Sequence, residues 1–266
     1  MDTKDFATRI RKLCVTVAHG SHNVHIGGSL SEADILAVLY NDVLNVNCDD
    51  PYKEDRDRLV LSKGHSCSGL YAALAVKGFI AEEEMLTQYQ DGSRISGHIS
   101  HHVPGIEIST GSLGHGMPIA TGMAYAAKMD HKKHRVFTIV GDGECEEGSI
   151  YEAVNFAGKR HLNNLTCIVD LNKIQSGTRT DEFINREQII SMFKNAGWKL
   201  AECDGHDTEA LKSVLLQNDT EQPFCVIAET VKGKGVSFME NNPAYHSNKL
   251  NDEQYRQAME ELGGAL

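Results

Sequence analysis

Apolar residues at Phe6, Ile10, Leu13 and Val17 recur at helical spacing and predict an amphipathic helix near the start of the chain. A second helix is predicted to open within SLSEADILAVLY, where Ser31 and, three residues on, Asp34 match a capping-box signature. The pattern then changes. Short apolar, β-rich runs follow: RLVLS at 58–62, RVFTIV at 135–140, LTCIVDL at 165–171, WKLAEC at 198–203 and FCVIAE at 224–229. Helical stretches, including 152–160, 189–195 and 208–217, separate the last four. Strands alternating with helices imply right-handed crossovers and a parallel sheet. The expected fold is therefore α/β: a doubly wound, mostly parallel sheet with helices on both faces. No repeat, low-complexity tract or linker interrupts the chain, so residues 1–266 read as one domain. Ligands of such open sheets bind beyond the carboxyl ends of the strands, which selects the loops that matter.

Charge narrows the partners. The formal net charge is −11, and the longest basic cluster is KKHR at 132–135, which reads as a solvated turn. Neither nucleic acid nor an anionic membrane is expected. The first residues, MDTKDFATRIRKL, contain no apolar h-region, and no apolar run approaches the ~18 residues of a membrane span. The cysteines (Cys14, Cys48, Cys67, Cys145, Cys167, Cys203 and Cys225) are odd in number, scattered and without a C-x-x-C pair. That usage suits reduced thiols and predicts a cytoplasmic location. Neither Cys67 nor Cys145 has a neighbour that would activate a thiolate. Thirteen histidines are the unusual count, and several stand beside glycines in loops.

The segment 140–175 carries the most chemistry. The strand RVFTIV runs into Gly141-Asp142-Gly143, a helix follows, and the strand LTCIVDL ends in Asn172-Lys173-Ile174-Gln175. One βαβ unit thus puts Asp142 and Asn172 on the same sheet edge. The glycines allow a tight turn and a close approach of backbone N–H groups to an anion. A carboxylate, an amide oxygen and the Ile174 carbonyl suit a hard divalent cation such as Mg²⁺, which takes few protein oxygens and completes its shell with water and phosphate. A lone Gly-Asp-Gly is commonly only a strand-to-helix turn. Its spacing from Asn172 across a second strand is more specific.

The same segment, GDG…EG…EA.NFAG…NL..IVD.N.IQ, resembles the thiamine-diphosphate fingerprint in its transketolase form. By that resemblance Asp142, Asn172 and the Ile174 carbonyl hold Mg²⁺ (or Ca²⁺ or Mn²⁺ in its place), and Gly141 and Gly143 lie against the diphosphate. Four further stretches are similar to the family, and each contributes a histidine. VHIGGSLS at 24–31 places His25 toward substrate, and DRDRLVLSKGHSCSGLYA at 55–72 makes His65 a cofactor and active-site histidine. SGHISHHVPGIEISTGSLGHG at 96–116 makes His98 a substrate contact, with Gly111, Ser112 and Leu113 lining the cofactor. VKGKGVSFMENNPAYH at 231–246 sets His246 against the diphosphate. Val24-His25-Ile26 replaces the family's Gly-His-Pro, and Tyr245-His246-Ser247 replaces Trp-His-Gly. His206 reads as a structural loop residue and His115 as one that shapes its loop. Such histidines suit a ketol transfer, in which protons leave and return to sugar hydroxyls near neutral pH.

The resemblance covers essentially the whole chain but only the first part of a full-length transketolase. It implies a separate pyrimidine-binding subunit that supplies the glutamate against the aminopyrimidine, in an α2β2 assembly acting on sugars or sugar phosphates. Alternatives are a subunit of a 1-deoxyxylulose-5-phosphate-synthase-like enzyme, an acyl-unit transferase, or a transketolase specialised for a sulfo- or branched sugar. A non-catalytic binding subunit would not need Asp142 and Asn172 intact.

Overall fold

The computed structural model of the chain describes residues 1–21, 24–217 and 221–266. Helix α1 (Thr3–Gly20) begins where Asp2 accepts from the Asp5 N–H, and it buries Phe6, Ile10, Leu13 and Val17 as their spacing predicts. Two short helices follow, α2 (Ile26–Ser31) and α3 (Ala33–Val38). The capping box expected at Ser31 does not form. Ser31 is the last residue of α2, and its hydroxyl bonds the Asp170 carboxylate at 2.6 Å. Asp34 is held by Arg11 at 2.5 Å and His206 at 2.7 Å. A cap needs its side chain turned back onto free backbone N–H groups, and here buried partners far along the sequence hold both side chains.

Strand β1 (Arg58–Leu61) leads into helices α4 (Cys67–Lys77), α5 (Glu82–Met85) and α6 (Gly116–Met129). The chain then alternates through β2 (Val136–Gly141), α7 (Gly148–Lys159), β3 (Leu165–Leu171) and a small hairpin of β4 (Ile174–Gln175) and β5 (Thr178–Arg179). Helix α8 (Arg186–Asn195), β6 (Lys199–Asp204), α9 (Thr208–Leu216), β7 (Phe224–Glu229) and α10 (Asp252–Glu261) complete it.

The five long strands form one sheet in the order β1-β2-β3-β7-β6, every pair parallel. Period-2 alternation sends Leu59, Leu61, Phe137, Ile139 and Val226 into a core with α1, α3, α4 and α9. Val60, Val136, Val140, Val169 and Ile227 enter a second core with α6, α7 and α8. Both faces are covered, so the strands read as continuous apolar runs rather than as alternating ones. The chain winds one way through β1, β2, β3 and β6 and turns back only to place β7 between β3 and β6. The carboxyl ends of β2, β3 and β7 therefore lie side by side at the edge where open parallel sheets hold ligands in a crevice.

Candidate functional site

That crevice holds the residues singled out by sequence. Asp142 follows β2 and Asn172 follows β3, and with Ile174 they line one cavity of about 150 Å³. The cavity is several times the volume of a water molecule. Gly28, Lys63, His65, Leu113, Gly141, Gly143, Gln175, Lys232 and His246 also line it. Asp142 Oδ1 accepts from the Gly143 N–H at 2.8 Å, and Oδ2 from the Lys173 N–H at 2.5 Å. Burial, then the neighbouring Asp170, pushes the Asp142 carboxyl up to about 6. Asn172 Oδ1 accepts from the Ile174 N–H at 3.2 Å. Lys173 takes a left-handed conformation (φ 70°) to turn the chain into the β4–β5 hairpin. Space favours glycine at 143, since a Cβ there would come within 2.8 Å of Gln175 Cβ, an atom fixed close to the backbone.

Two lysines face these oxygens. Lys232 Nζ donates to the Ile174 carbonyl at 2.7 Å and to His246 Nδ1 at 2.9 Å. Burial pulls its ammonium down to about 8, against the attraction of Asp142. Lys63 Nζ pairs with Asp170 Oδ2 at 2.5 Å and Glu32 Oε2 at 2.8 Å. Burial alone would lower the Lys63 ammonium, but Asp170 and Glu32 hold it above its ordinary range. Asp170, fully buried, also accepts from Ser31, Asn172 and Thr230.

The four histidines converge from separate loops. His25 lies 5.2 Å from His65, 5.9 Å from His98 and 5.4 Å from His246 between ring centroids, and His65 is 5.4 Å from His246. Burial, then Lys63, drives His65 down to about 2. Burial and Lys232 drive His246 to about 4, and burial also lowers His25, followed by His98. His65 and His246 are therefore neutral near pH 7, able both to donate and to accept hydrogen bonds. Tyr71 fixes the His98 loop, donating to the His98 carbonyl at 2.8 Å and accepting from the Ser100 N–H at 2.9 Å.

The loop 111–114 meets the site unevenly. Leu113 lines the cavity, whereas Gly111 lies against the His98 ring and Ser112 is exposed. Glu144 anchors this loop, accepting from the Gly114 N–H at 2.8 Å, the Ser62 hydroxyl at 2.5 Å and the Gly141 N–H at 3.1 Å. His206 is structural as expected: it bonds Asp34 and accepts from the Val231 N–H at 2.8 Å. Cys67 and Cys145 are buried with their thiols pushed up, Cys67 to about 12, so neither is an activated nucleophile. Sequence reasoning missed Lys63, Lys232, Glu32, Asp170 and Glu144 as parts of the site. Lys63 and Lys232 stand inside the motifs SKGH and VKGKG, where a basic residue beside an anion loop was the available signal.

An open parallel α/β sheet thus carries buried oxygen acceptors and two buried ammonium groups at its carboxyl edge, a set chemically suited to a charged, oxygen-rich ligand. Residues 2–265 match the family described as transketolase, thiamine diphosphate binding domain. The chain belongs to that family. It is 40% identical over 254 residues to one subunit of the apulose-4-phosphate transketolase of Phocaeicola vulgatus, covering 95% of this chain and 90% of that one. It is also 40% identical over 265 residues to a 6-deoxy-6-sulfo-D-fructose transketolase subunit of Clostridium sp. (strain MSTE9), covering 98% and 96%. The crystal structure of transketolase from Campylobacter jejuni superposes with a TM-score of 0.94 at 31% identity, over 100% of this chain and 44% of that one. The chain therefore spans less than half the length of that solved transketolase.

Proposed function

We propose that this chain, as one domain, is the diphosphate-binding subunit of a two-component transketolase, moving a two-carbon ketol unit from a ketose donor to an aldose acceptor. The observation that carries this is the convergence of Asp142, Asn172, the Ile174 carbonyl and two buried lysines on one cavity, with four histidines beside it. The donor set fits Mg²⁺, with Ca²⁺ or Mn²⁺ as substitutes: all three atoms are oxygens, one of them charged, and Asp142 is a buried carboxylate that a cation would stabilise. Asp142, Asn172 and Ile174 would hold the metal. Gly141, Gly143, Leu113, His65 and His246 would border the diphosphate, with Gly111 and Ser112 on the loop beside it. Thiamine diphosphate supplies a nucleophilic carbon that breaks and re-forms a carbon–carbon bond beside a carbonyl. His25 and His98, on the outer side of the histidine cluster, would bond sugar hydroxyls, and the cluster would move protons to and from them.

The residue that presses on the aminopyrimidine is assigned to a separate subunit, in an α2β2 assembly. Both subunit relatives match this chain over nine-tenths or more of their own length and are named for transketolases of unusual sugars, which supports a modified ketose as donor. Seven unpaired thiols suit a reducing cytoplasm. Among the described residues no helix is long and apolar enough to cross a membrane.

The experiment is calorimetry with thiamine diphosphate and Mg²⁺ on the chain and on Asp142→Ala. Loss of the Mg²⁺-dependent part of binding, by a hundredfold or more on the order of the ~3 kcal/mol that a buried charged ligand contributes, is expected. Unchanged affinity would sink the metal assignment.

A further inference from the structure

The site uses Lys63 and Lys232 and leaves another buried charge unexplained. Glu32 stands at the junction of α2 and α3 with 0% of its surface exposed. Its Oε2 accepts from Lys63 Nζ at 2.8 Å and from the Ser66 hydroxyl at 3.1 Å. Its Oε1 has no hydrogen-bond partner. That oxygen looks onto Gly69 of α4, where a Cβ would come within 2.7 Å of it. A buried carboxylate oxygen with no donor is costly, and the neutral acid is the cheaper form of such a group.

Lys63 is thus shared between unequal carboxylates. Asp170 receives Ser31, Lys63, Asn172 and Thr230, and those donors hold it ionised. Glu32 receives Lys63 and Ser66 on one oxygen and nothing on the other. With both carboxyls ionised, the trio beneath the cavity carries one net negative charge. With Glu32 protonated it carries none. An anion entering the cavity draws on the Lys63 ammonium and repels a charged Glu32, so it favours the neutral acid.

We propose that Glu32 is a proton-coupled positioning residue: it shares Lys63 with Asp170 beneath the cradle, and it takes up one proton when a diphosphate enters. The inference rests on the cradle reading above. The proton comes from solvent and ends on the Glu32 carboxyl. Four titratable groups face Glu32: Lys63 from the loop after β1, Asp170 of β3, Cys14 of α1 and Cys67 of α4. The thiols are pushed up by burial and stay neutral. Lys63 is held charged, and Asp170, though buried, is kept below its ordinary range by Lys63. Glu32 is the group left to titrate, raised to about 7 by burial against the pull of Lys63. A bound anion raises it further. Between the free and bound values the complex holds one more proton than its components, so affinity falls as pH rises, by up to about tenfold per pH unit.

The test is calorimetry of the full chain with Mg²⁺ and thiamine diphosphate, from about pH 6 to about pH 9, in buffers of different ionisation heat. The same series on Glu32→Gln is the reference, because the titration of the diphosphate itself is common to both and cancels. The unmutated chain is expected to take up close to one extra proton near pH 8 and to lose affinity on the order of fiftyfold relative to Glu32→Gln across the series. Equal uptake and equal slopes overturn the proposal. A second measurement needs no variant: carbon-13 labelling of glutamate side chains in the unmutated chain. One carboxyl resonance should titrate near neutral pH and shift its midpoint upward with magnesium pyrophosphate. Its absence overturns the proposal even if Glu32→Gln does not fold. If neither protein binds the cofactor while the resonance titrates, the cradle reading fails and takes the coupling with it, an outcome distinct from failure of Glu32 alone.

Discussion

At the scale of single residues, burial decides which groups titrate and which only bond. His65 and His246 are kept neutral because their rings are removed from water beside Lys63 and Lys232. His98 is exposed and His25 only half-buried, which leaves them free to meet a substrate from solution. Replacing His25 or His98 by Ala should therefore leave affinity for Mg²⁺ and thiamine diphosphate within about threefold while lowering kcat/KM on the order of a hundredfold, the usual contribution of a positioned acid–base group. Steady-state kinetics of the assembled enzyme, paired with calorimetry, separates the two effects. A variant that bound cofactor far more weakly yet turned over normally at saturation would reverse the assigned roles.

At the scale of elements, the site is held by ties between segments far apart in sequence. Arg11 of α1, Asp34 of α3 and His206 after β6 form one such tie, and Arg11 is only 7% exposed. Burial alone would raise the Asp34 carboxyl, but His206 and Arg11 hold it below its ordinary range. The folded pKa is depressed, so this stabilisation is present above the unfolded value near 3.9 and is lost as pH falls through the lower folded value. Asp34→Asn should cost roughly 3 to 5 kcal/mol at neutral pH, because it strands a buried guanidinium. The cost should shrink below about pH 3.9. Urea unfolding across pH measures both, and a pH-independent difference would show that Asp34 acts by shape alone.

For the whole molecule, the two carboxyls that line the cavity are already engaged: Asp142 accepts from the Gly143 and Lys173 N–H groups, and Glu144 from the Ser62 hydroxyl and the Gly114 and Gly141 N–H groups. Glu32 does not line the cavity and is bonded to Lys63 and Ser66. The chain alone should give near-background cleavage of a ketose donor. Mixing with a pyrimidine-binding subunit should raise the rate by several orders of magnitude, since fixing both ends of the cofactor contributes several kcal/mol through orientation. Donor-cleavage assays on the two subunits separately and on their mixture, with ultracentrifugation to detect the complex, make the comparison. Robust turnover by the isolated chain would end the half-enzyme reading.

The strands and the Gly-Asp-Gly loop were legible in the sequence because their signals are local. LTCIVDL and FCVIAE coincide with β3 and β7 to the residue, and Asp142 and Asn172 follow directly from where β2 and β3 stop. The family could also be read there, since each motif lies within one short segment. Helix α4 was not legible: it is buried from Cys67 to Ala75, so no polar face marks a helical period. Ser31 and Asp34 carry a capping signature that tertiary partners override. The charge network of Lys63, Glu32 and Asp170 joins positions up to 138 residues apart, by the Glu32 and Asp170 numbering. Periodicity and turn chemistry act over a few residues and so are written in the sequence itself. Which buried charges share a partner depends on how helices and strands pack, and only the folded molecule decides it.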